Sequence, residues 1–170
     1  LLAKNEKGYK NLIKLITKGW LEGFYYKPRI DKELLKEYSE GIICLSGCPN
    51  GEIPKALLAK NYDLARQLVF EYLDIFGKEN FYIEINHHPN LEDLKNLKTL
   101  LIKLSEETKI PFVVTYDSHY SYPEDSSIHD VFLAIQTGKD IDGEERLTMK
   151  QDDFSLADYE TIYNIHKDIP

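Results

Sequence analysis

The chain has 170 residues, of which 42% are hydrophobic and 29% are charged, and it carries a formal net charge of −8. This length and balance are typical of one soluble globular domain with a sizeable core. The acidic excess argues against a free-standing nucleic-acid-binding protein, because such a surface repels phosphate backbones on average. No apolar run approaches the roughly 20 residues that span a bilayer, so we expect no contact with a membrane.

The cysteine content and the N-terminal sequence bear on the cellular compartment. Cys44 and Cys48 are too few for a disulfide framework, and no basic segment followed by an apolar stretch marks a signal peptide. We therefore expect a reducing compartment, the cytoplasm. The chain begins Leu1-Leu2-Ala3 without Met, which suggests a fragment or a chain whose beginning is not given.

Amphipathic helices and short apolar strands alternate along the chain. Tyr9, Leu12, Ile13, Ile16 and Trp20 recur at three- and four-residue intervals and predict a helix over residues 6–22. Apolar runs predict buried strands at 41–45, 81–85 and 110–115, with a fourth at 1–3. Further helices are predicted over 32–38, 53–59, 62–76 and 124–136.

The remaining predictions concern the second half of the chain. A long helix begins at Asn90 and carries a buried leucine stripe, formed by Leu94, Leu97, Leu101 and Leu104. After Gly138 the pattern loosens, so residues 140–152 are predicted as a long polar loop. Ser155 or Asp158 caps a last helix. Strands separated by helices indicate an α/β fold with parallel strands.

The ends of two predicted strands carry side chains that suit a divalent metal ion. The strand at 110–115 leads into Asp117-Ser118-His119, which places a carboxylate and an imidazole side by side. The strand at 41–45 leads into Ser46-Gly47-Cys48, which offers a thiolate. Asp, His and Cys are all ligands of divalent metals. Our central hypothesis is that Cys48, Asp117 and His119 meet at one metal site.

Several alternatives stay open for these residues. An Asp/His pair also occurs as a capping or core feature, and a lone Cys is commonly a small buried hydrophobe. Cys44 lies inside its strand and is expected to pack. A Cys48–His119 acyl-transfer pair is conceivable, although Asp117 fits metal chemistry better. Nucleotide-binding glycine motifs and a nucleophile elbow are missing from the sequence.

Other polar residues are weaker candidates. His87-His88 follows a strand, and only one of the two is expected to face a site, with His88 favoured. Glu84 faces either solvent or a barrel interior. His129 lies in a helical pattern and is expected to be structural, and His166 is expected to be solvated. The short basic cluster Lys27-Pro28-Arg29 is interpreted as a solvated loop.

Several longer motifs follow one another along the chain. The first motifs run from Leu2 to Leu12 (LAKNEKGYKNL), from Tyr26 to Asp31 (YKPRID) and from Leu45 to Ile53 (LSGCPNGEI). The later ones are Asp117-Ser118-His119-Tyr120, Glu124-Asp125, His129-Asp130-Val131 and Ile135-Gln136-Thr137-Gly138-Lys139. In this order the motifs resemble those of the PHP (polymerase and histidinol phosphatase) domain of bacterial DNA polymerase III alpha subunits. The resemblance extends over nearly the whole chain.

This resemblance implies part of a distorted TIM-like (β/α)7 barrel with up to three divalent metals, Zn, Mn or Fe, in the complete domain. The late ligands of the family map onto Cys48, Asp117 and His119. Earlier ligands, including an H-x-H pair, would lie before Leu1. Tyr116 and Ser118 stand where the family often has Asn and Val. Residues 1–139 would be the C-terminal part of the PHP domain, and residues 140–170 would lead toward the polymerase palm.

The function implied is part of a DNA-directed DNA polymerase, a nucleotidyltransferase of DNA replication. The fragment has no polymerase active site of its own. Its metal site would activate a water molecule for attack on a phosphodiester, as in a 3′–5′ proofreading exonuclease. The alternative is an inactive module that braces the polymerase and docks a proofreading subunit. A stand-alone metallophosphatase is less favoured, because the sequence after Gly138 continues in polymerase-like fashion. The expected partners are the rest of the polymerase chain, DNA through the full-length protein, and that proofreading subunit.

Overall fold

The computed structural model describes residues 1–86, 92–143, 145–167 and 169. The chain divides into two compact units, unit 1 (residues 1–85 and 97–113) and unit 2 (residues 86–96 and 114–170). None of the helices in these described ranges is long and apolar enough to cross a membrane. The predicted boundary between residues 139 and 140 lies inside unit 2 and stays a prediction.

Four strands lie side by side in the order of the chain: β1 (Leu2–Ala3), β2 (Ile42–Leu45), β3 (Phe81–Asn86) and β4 (Phe112–Thr115). β2 and β3 pair in parallel, with Cys44 opposite Phe81, which confirms the α/β prediction. β1 pairs antiparallel with β2, so the prediction of a uniformly parallel sheet is wrong there. The reason is local: Lys4 donates its N–H to the Gly41 carbonyl, so the end of β1 meets the start of β2. Barrel closure stays a prediction.

The predicted helices are confirmed to within a few residues at either end. The described helices are α1 (Glu6–Leu21), α2 (Lys32–Glu37), α3 (Glu52–Leu58), α4 (Tyr62–Phe76), α5 (Glu92–Thr108), α6 (Ser126–Thr137) and α7 (Tyr159–His166). Four of them begin at an Asn or Asp whose side chain accepts a backbone N–H three residues later, namely Asn5, Asp31, Asn61 and Asp158. Asp158, and not Ser155, therefore caps the last helix. Asn90 lies outside the described residues.

Every second residue of β3 is buried in the core of unit 1. Phe81, Ile83 and Ile85 are all 0% exposed. The Phe81 ring stacks on Tyr72 of α4 at 5.7 Å between centroids. The predicted leucine stripe of α5 is confirmed at Leu97, Leu101 and Leu104, which are buried. The alternate residues of β3 and the leucine stripe of α5 thus both supply buried apolar side chains to unit 1.

The apolar stripe that predicted α1 is not the face that the helix buries. Gly8, Asn11, Leu15 and Gly19 are its buried residues, while Tyr9, Ile13, Ile16 and Trp20 are 47–60% exposed. Close backbone approach explains the choice of face. A Cβ atom at Gly8 would lie 1.7 Å from the Gly41 carbonyl oxygen, so only glycine permits this contact.

The same contrast occurs in α6 of unit 2. This helix is confirmed, and a 3₁₀ turn at Pro123–Asp125 precedes it. Its buried residues are Asp130, Leu133 and Ala134. The residues whose spacing predicted the helix are 46–70% exposed; they are Ile128, Val131, Phe132 and Ile135.

Candidate metal-ligating site

Asp117 and His119 lie directly after β4 in unit 2 and contact each other. Nε2 of His119 lies 3.2 Å from Oδ1 of Asp117, within hydrogen-bond distance. The two side chains are 36% and 44% exposed, His119 being the less exposed, so both remain accessible to a ligand. Because Nε2 faces the carboxylate, Nδ1 is the ring nitrogen of His119 that is left for another partner.

Residues 145–155, here called the strap, hold this strand end in place. The His119 N–H donates to the Phe154 carbonyl at 2.8 Å, and the Phe154 N–H donates to the Tyr120 hydroxyl at 3.0 Å. The Tyr116 hydroxyl donates to the Asp153 carbonyl at 3.1 Å. The Phe154 ring also meets the His119 ring edge-on at 5.7 Å. On one side of Asp117 the Tyr116 side chain is therefore bonded to the strap, and on the other side the His119 backbone is.

The strap is in turn anchored to Asp130 of α6, which is 1% exposed. Arg146 donates to both carboxylate oxygens of Asp130, at 2.6 and 2.7 Å, and Thr148 donates at 2.8 Å. Lys150 adds an ion pair at 2.8 Å. Such a bidentate, fully bonded carboxylate is a strong charge-assisted anchor. The predicted loop at 140–152 has no helix or strand among its described residues, yet its second half is fixed by these bonds.

Two pKa shifts follow from this packing. The hydrogen bonds from Arg146, and then those from Lys150, hold the pKa of Asp130 well below its ordinary value of 3.8. Burial, with the nearby charge of Asp153, raises the pKa of the Tyr116 phenol. Both groups are therefore locked in one protonation state at neutral pH, the first as an acceptor and the second as a donor.

The Cys48 loop belongs to unit 1, where Glu84 of β3 fixes its geometry. The Glu84 N–H donates to the Ser46 hydroxyl at 2.9 Å, and the Gly47 N–H donates to the Glu84 carboxylate at 3.1 Å. Gly47 has a φ of +88°, a conformation that favours glycine. Cys48 is exposed, whereas Cys44 is buried and burial raises the pKa of its thiol to about 11. The packing role predicted for Cys44 agrees with this burial.

The donors suit Zn, Mn or Fe chemically, since they offer oxygen, nitrogen and sulfur. Within the described part of the chain, however, no three His, Cys, Asp or Glu side chains lie close enough to hold a metal ion. The structure brings Asp117 and His119 together; whether Cys48 joins them stays a prediction. His87 and His88 lie outside the described residues.

Two other histidines were interpreted from the sequence: His129 as a structural residue of a helix, which α6 contains, and His166 as a solvated residue. His129 of α6 places its ring 5.5 Å from the His119 ring, so it lies beside the candidate site. His166 is buried at 8% exposure, and the expectation of a solvated side chain was wrong. One feature of the sequence could have drawn attention to this part of α6. Asp130, next to His129, is an acidic residue on the buried face that also carries Leu133 and Ala134. Glu84 is likewise an acidic residue between the buried apolar residues Ile83 and Ile85 of β3.

Comparisons with known proteins identify the class. The PHP domain family matches residues 1–88, which is more than half of the chain, and the chain therefore belongs to the PHP domain family. It is similar over its whole length to the DNA polymerase III subunit alpha of Borreliella burgdorferi, with 41% identity, and to that of Treponema pallidum, with 42% identity. The Thermus aquaticus subunit is 43% identical over 91% of the chain.

These matches confirm the resemblance drawn from the motifs. The chain spans only 12–15% of the length of these relatives. Family membership and similarity to polymerase subunits are thus established for this segment.

Proposed function

We propose that this chain is the PHP-domain part of a DNA polymerase III alpha subunit and acts in DNA replication in the bacterial cytoplasm. Cys48, Asp117 and His119 would contribute ligands for divalent metals at a phosphoesterase-type site with 3′–5′ exonuclease activity. The similarity to polymerase alpha subunits along the whole chain supports the replication role. The free thiols of Cys44 and Cys48 support a reducing compartment. Residues 140–170 would lead toward the palm.

The observation that carries the proposed site is the contact between Asp117 and His119 at 3.2 Å. It lies at the end of a strand, where side chains from successive strands of α/β folds gather. The strap bonds fix the backbone at His119 and Tyr120, so the pair is preorganised. Preorganised donors cost less conformational entropy when they bind an ion.

The chain's own residues have separate roles at this site. Asp117 orients the imidazole of His119 through Oδ1, fixes which ring nitrogen carries the proton, and would offer Oδ2 as a ligand. The chemistry that a divalent metal supplies when bound to such donors is Lewis acidity toward a phosphodiester and activation of a water molecule. His119 offers its remaining ring nitrogen as a ligand, and Cys48 offers a thiolate from an exposed loop.

Elemental analysis and a nuclease assay on the intact protein test this proposal. We expect bound Zn, Mn or Fe in the unmodified protein, and at least about a tenfold loss of metal affinity in Asp117→Asn and His119→Ala. Release of nucleotides from a 3′-labelled single strand should fall in parallel. Asp140→Asn is the matched control, since Asp140 is an exposed acid of the same unit. A metal-free intact protein would defeat the proposal.

A second candidate is a structural module that braces the polymerase and docks a proofreading subunit. The strap favours it, because the same hydrogen bonds that fix His119 also tie together two segments of unit 2. For this module, His119→Ala in the intact protein leaves nuclease activity unchanged and weakens folding or subunit binding. Loss of nuclease activity with unchanged stability favours the exonuclease.

A further inference from the structure

The first 30 residues carry a charge opposite to that of the whole chain. They contain seven basic and two acidic side chains, a net charge of +5, whereas the whole chain has −8. Four of the lysines lie on one face of α1, at positions 7, 10, 14 and 18. Lys7 and Lys10 are 57% and 64% exposed, and their carboxylate partners are more exposed still. Lys18 also pairs with Glu22, at 3.3 Å. Because exposed pairs of this kind are weak, they offset the charge of these lysines only in part.

The turn that follows α1 carries exposed aromatic rings beside further cations. Trp20, Phe24, Tyr25 and Tyr26 are 54–82% exposed. The rings of Trp20 and Phe24 are stacked at 5.6 Å. The Arg29 guanidinium lies 5.3 Å from the centre of the Tyr25 ring. We call these four rings, with Lys27 and Arg29, the aromatic–basic surface.

The backbone at Tyr26 adopts a conformation that costs stability, and its side chain buries little area in return. Tyr26 has a φ of +58°, which is unfavourable for a large side chain, and its side chain is the most exposed of the four. The turn is closed by hydrogen bonds from the Tyr25 N–H to the Lys27 carbonyl and from the Arg29 N–H to the Gly23 carbonyl. A strained turn thus holds an aromatic ring out in solvent.

An apolar hollow adjoins the same rings. It has a volume of about 360 Å³, and its lining includes Ile16, Trp20, Pro28 and Ile30. Arg29 also lines it, so a cation stands at an apolar recess. This combination suits a ligand with flat apolar rings joined by anionic groups.

We propose that the aromatic–basic surface binds single-stranded nucleic acid, with bases stacked on the exposed rings and phosphates paired with Lys27 and Arg29. Stacking on aromatic side chains inside a positive surface is how proteins hold single strands without reading their sequence. In a duplex the faces of the bases are stacked on neighbouring base pairs, so they cannot stack on these aromatic rings. The surface lies wholly within unit 1, and its argument is independent of the proposed metal site.

Fluorescence of the 170-residue chain tests this directly, because Trp20 is its only tryptophan. We expect a 12-nucleotide oligo(dT) to quench Trp20 emission. Tyr26→Ala should raise the dissociation constant about tenfold, the usual effect of losing one stacked base. Tyr26→Phe, which keeps the ring, should bind normally. Arg29→Gln should lower the slope of log affinity against log salt by about 0.7, the value for one single-strand phosphate contact.

Matched controls lie elsewhere on the chain. Tyr163→Ala removes another exposed ring, and Lys103→Gln removes another exposed cation, and neither should change affinity or the salt slope. Circular dichroism verifies that each variant is folded. Absence of Trp20 quenching would overturn the proposal, as would equal weakening by Tyr163→Ala. Displacement by polyglutamate as readily as by oligo(dT) would assign the surface to an acidic protein segment instead.

Discussion

Unit 1 and unit 2 are each stabilised internally by a different kind of interaction. Unit 1 has an apolar sheet core in which Ile42, Phe81 and Ile83 are fully removed from solvent. Unit 2 buries Asp130 at a comparable depth and surrounds it with Arg146, Lys150 and Thr148. The first unit depends on apolar area, and the second depends on a specific set of charge-assisted hydrogen bonds.

The two kinds of interaction have different structural consequences. Apolar burial stabilises the fold, and directional hydrogen bonds determine where the site residues lie. Apolar burial is non-directional and tolerates small changes in shape. Hydrogen bonds to a buried carboxylate are directional, so they fix the strap in one position. The strap in turn bonds the backbone of His119 and Tyr120. We infer that unit 2 uses polar interactions where the position of the candidate ligands matters.

The largest effect is expected from Phe81→Ala in unit 1. This change removes a fully buried ring that stacks on Tyr72, and a cavity replaces it. We expect the free energy of unfolding to fall by about 3–5 kcal/mol, measured by urea denaturation. Phe132→Ala is the control, because Phe132 is 64% exposed and its loss should change stability by less than about 0.5 kcal/mol. Equal effects would contradict the division into buried and exposed apolar faces.

Much of unit 1 could be predicted from residue patterns alone. The bounds of α4, Tyr62–Phe76, agree fully with the prediction, since Asn61 caps its start and Gly77 follows its end. Strand β3 was predicted at 81–85 and extends over Phe81–Asn86. The buried face of α1 could not be predicted, because glycines at positions 8 and 19, and not its large apolar residues, contact the rest of the unit. Periodicity identifies a helix but does not measure how closely its backbone approaches a neighbour.

The candidate site was predictable only in part. Asp117 and His119 are two residues apart after a strand, so their contact followed from local geometry. The polar loop was predicted over residues 140–152 only, and the bonds of Asp153 and Phe154 to Tyr116, His119 and Tyr120 were not predicted, because they join positions about 35 residues apart. No local pattern encodes such pairings. The proposed convergence of Cys48 with this pair is of the same long-range kind and remains a prediction.

Asp130→Asn should release the strap while leaving unit 1 intact. The variant keeps the size of the side chain but removes the charge that Arg146 and Lys150 face. We expect backbone amide exchange at His119 and Phe154 to become at least about tenfold faster, measured by hydrogen exchange of the folded protein. Asp140→Asn should change neither amide. Unchanged exchange in Asp130→Asn would contradict the anchoring role.

Lowering the pH should weaken the same interaction between Asp130 and the strap. Arg146 holds the pKa of Asp130 below its ordinary value of 3.8, so the ionised carboxylate stabilises the folded strap at every pH above 3.8. That contribution is lost as the pH falls below 3.8 toward the lowered pKa. Protection factors at His119 and Phe154 should therefore hold from pH 7 to about 4 and then decline. In Asp130→Asn this additional acid-dependent decline should be missing, and its persistence would assign it to another group.

Tyr120→Phe gives the smallest expected effect and isolates one bond of the strap. It deletes the hydroxyl that accepts the Phe154 N–H at 3.0 Å and leaves the ring in place beside His129. An unmade hydrogen bond of this kind costs about 1 kcal/mol, so exchange at the Phe154 amide should quicken about fivefold. Tyr163→Phe removes an exposed hydroxyl of the same unit and serves as the control. Because the His119 N–H bonds the Phe154 carbonyl independently, its own exchange should change less than that of Phe154. Equal acceleration at both amides would mean that the strap opens as one cooperative piece, and Asp130 would then act on the whole strand end at once.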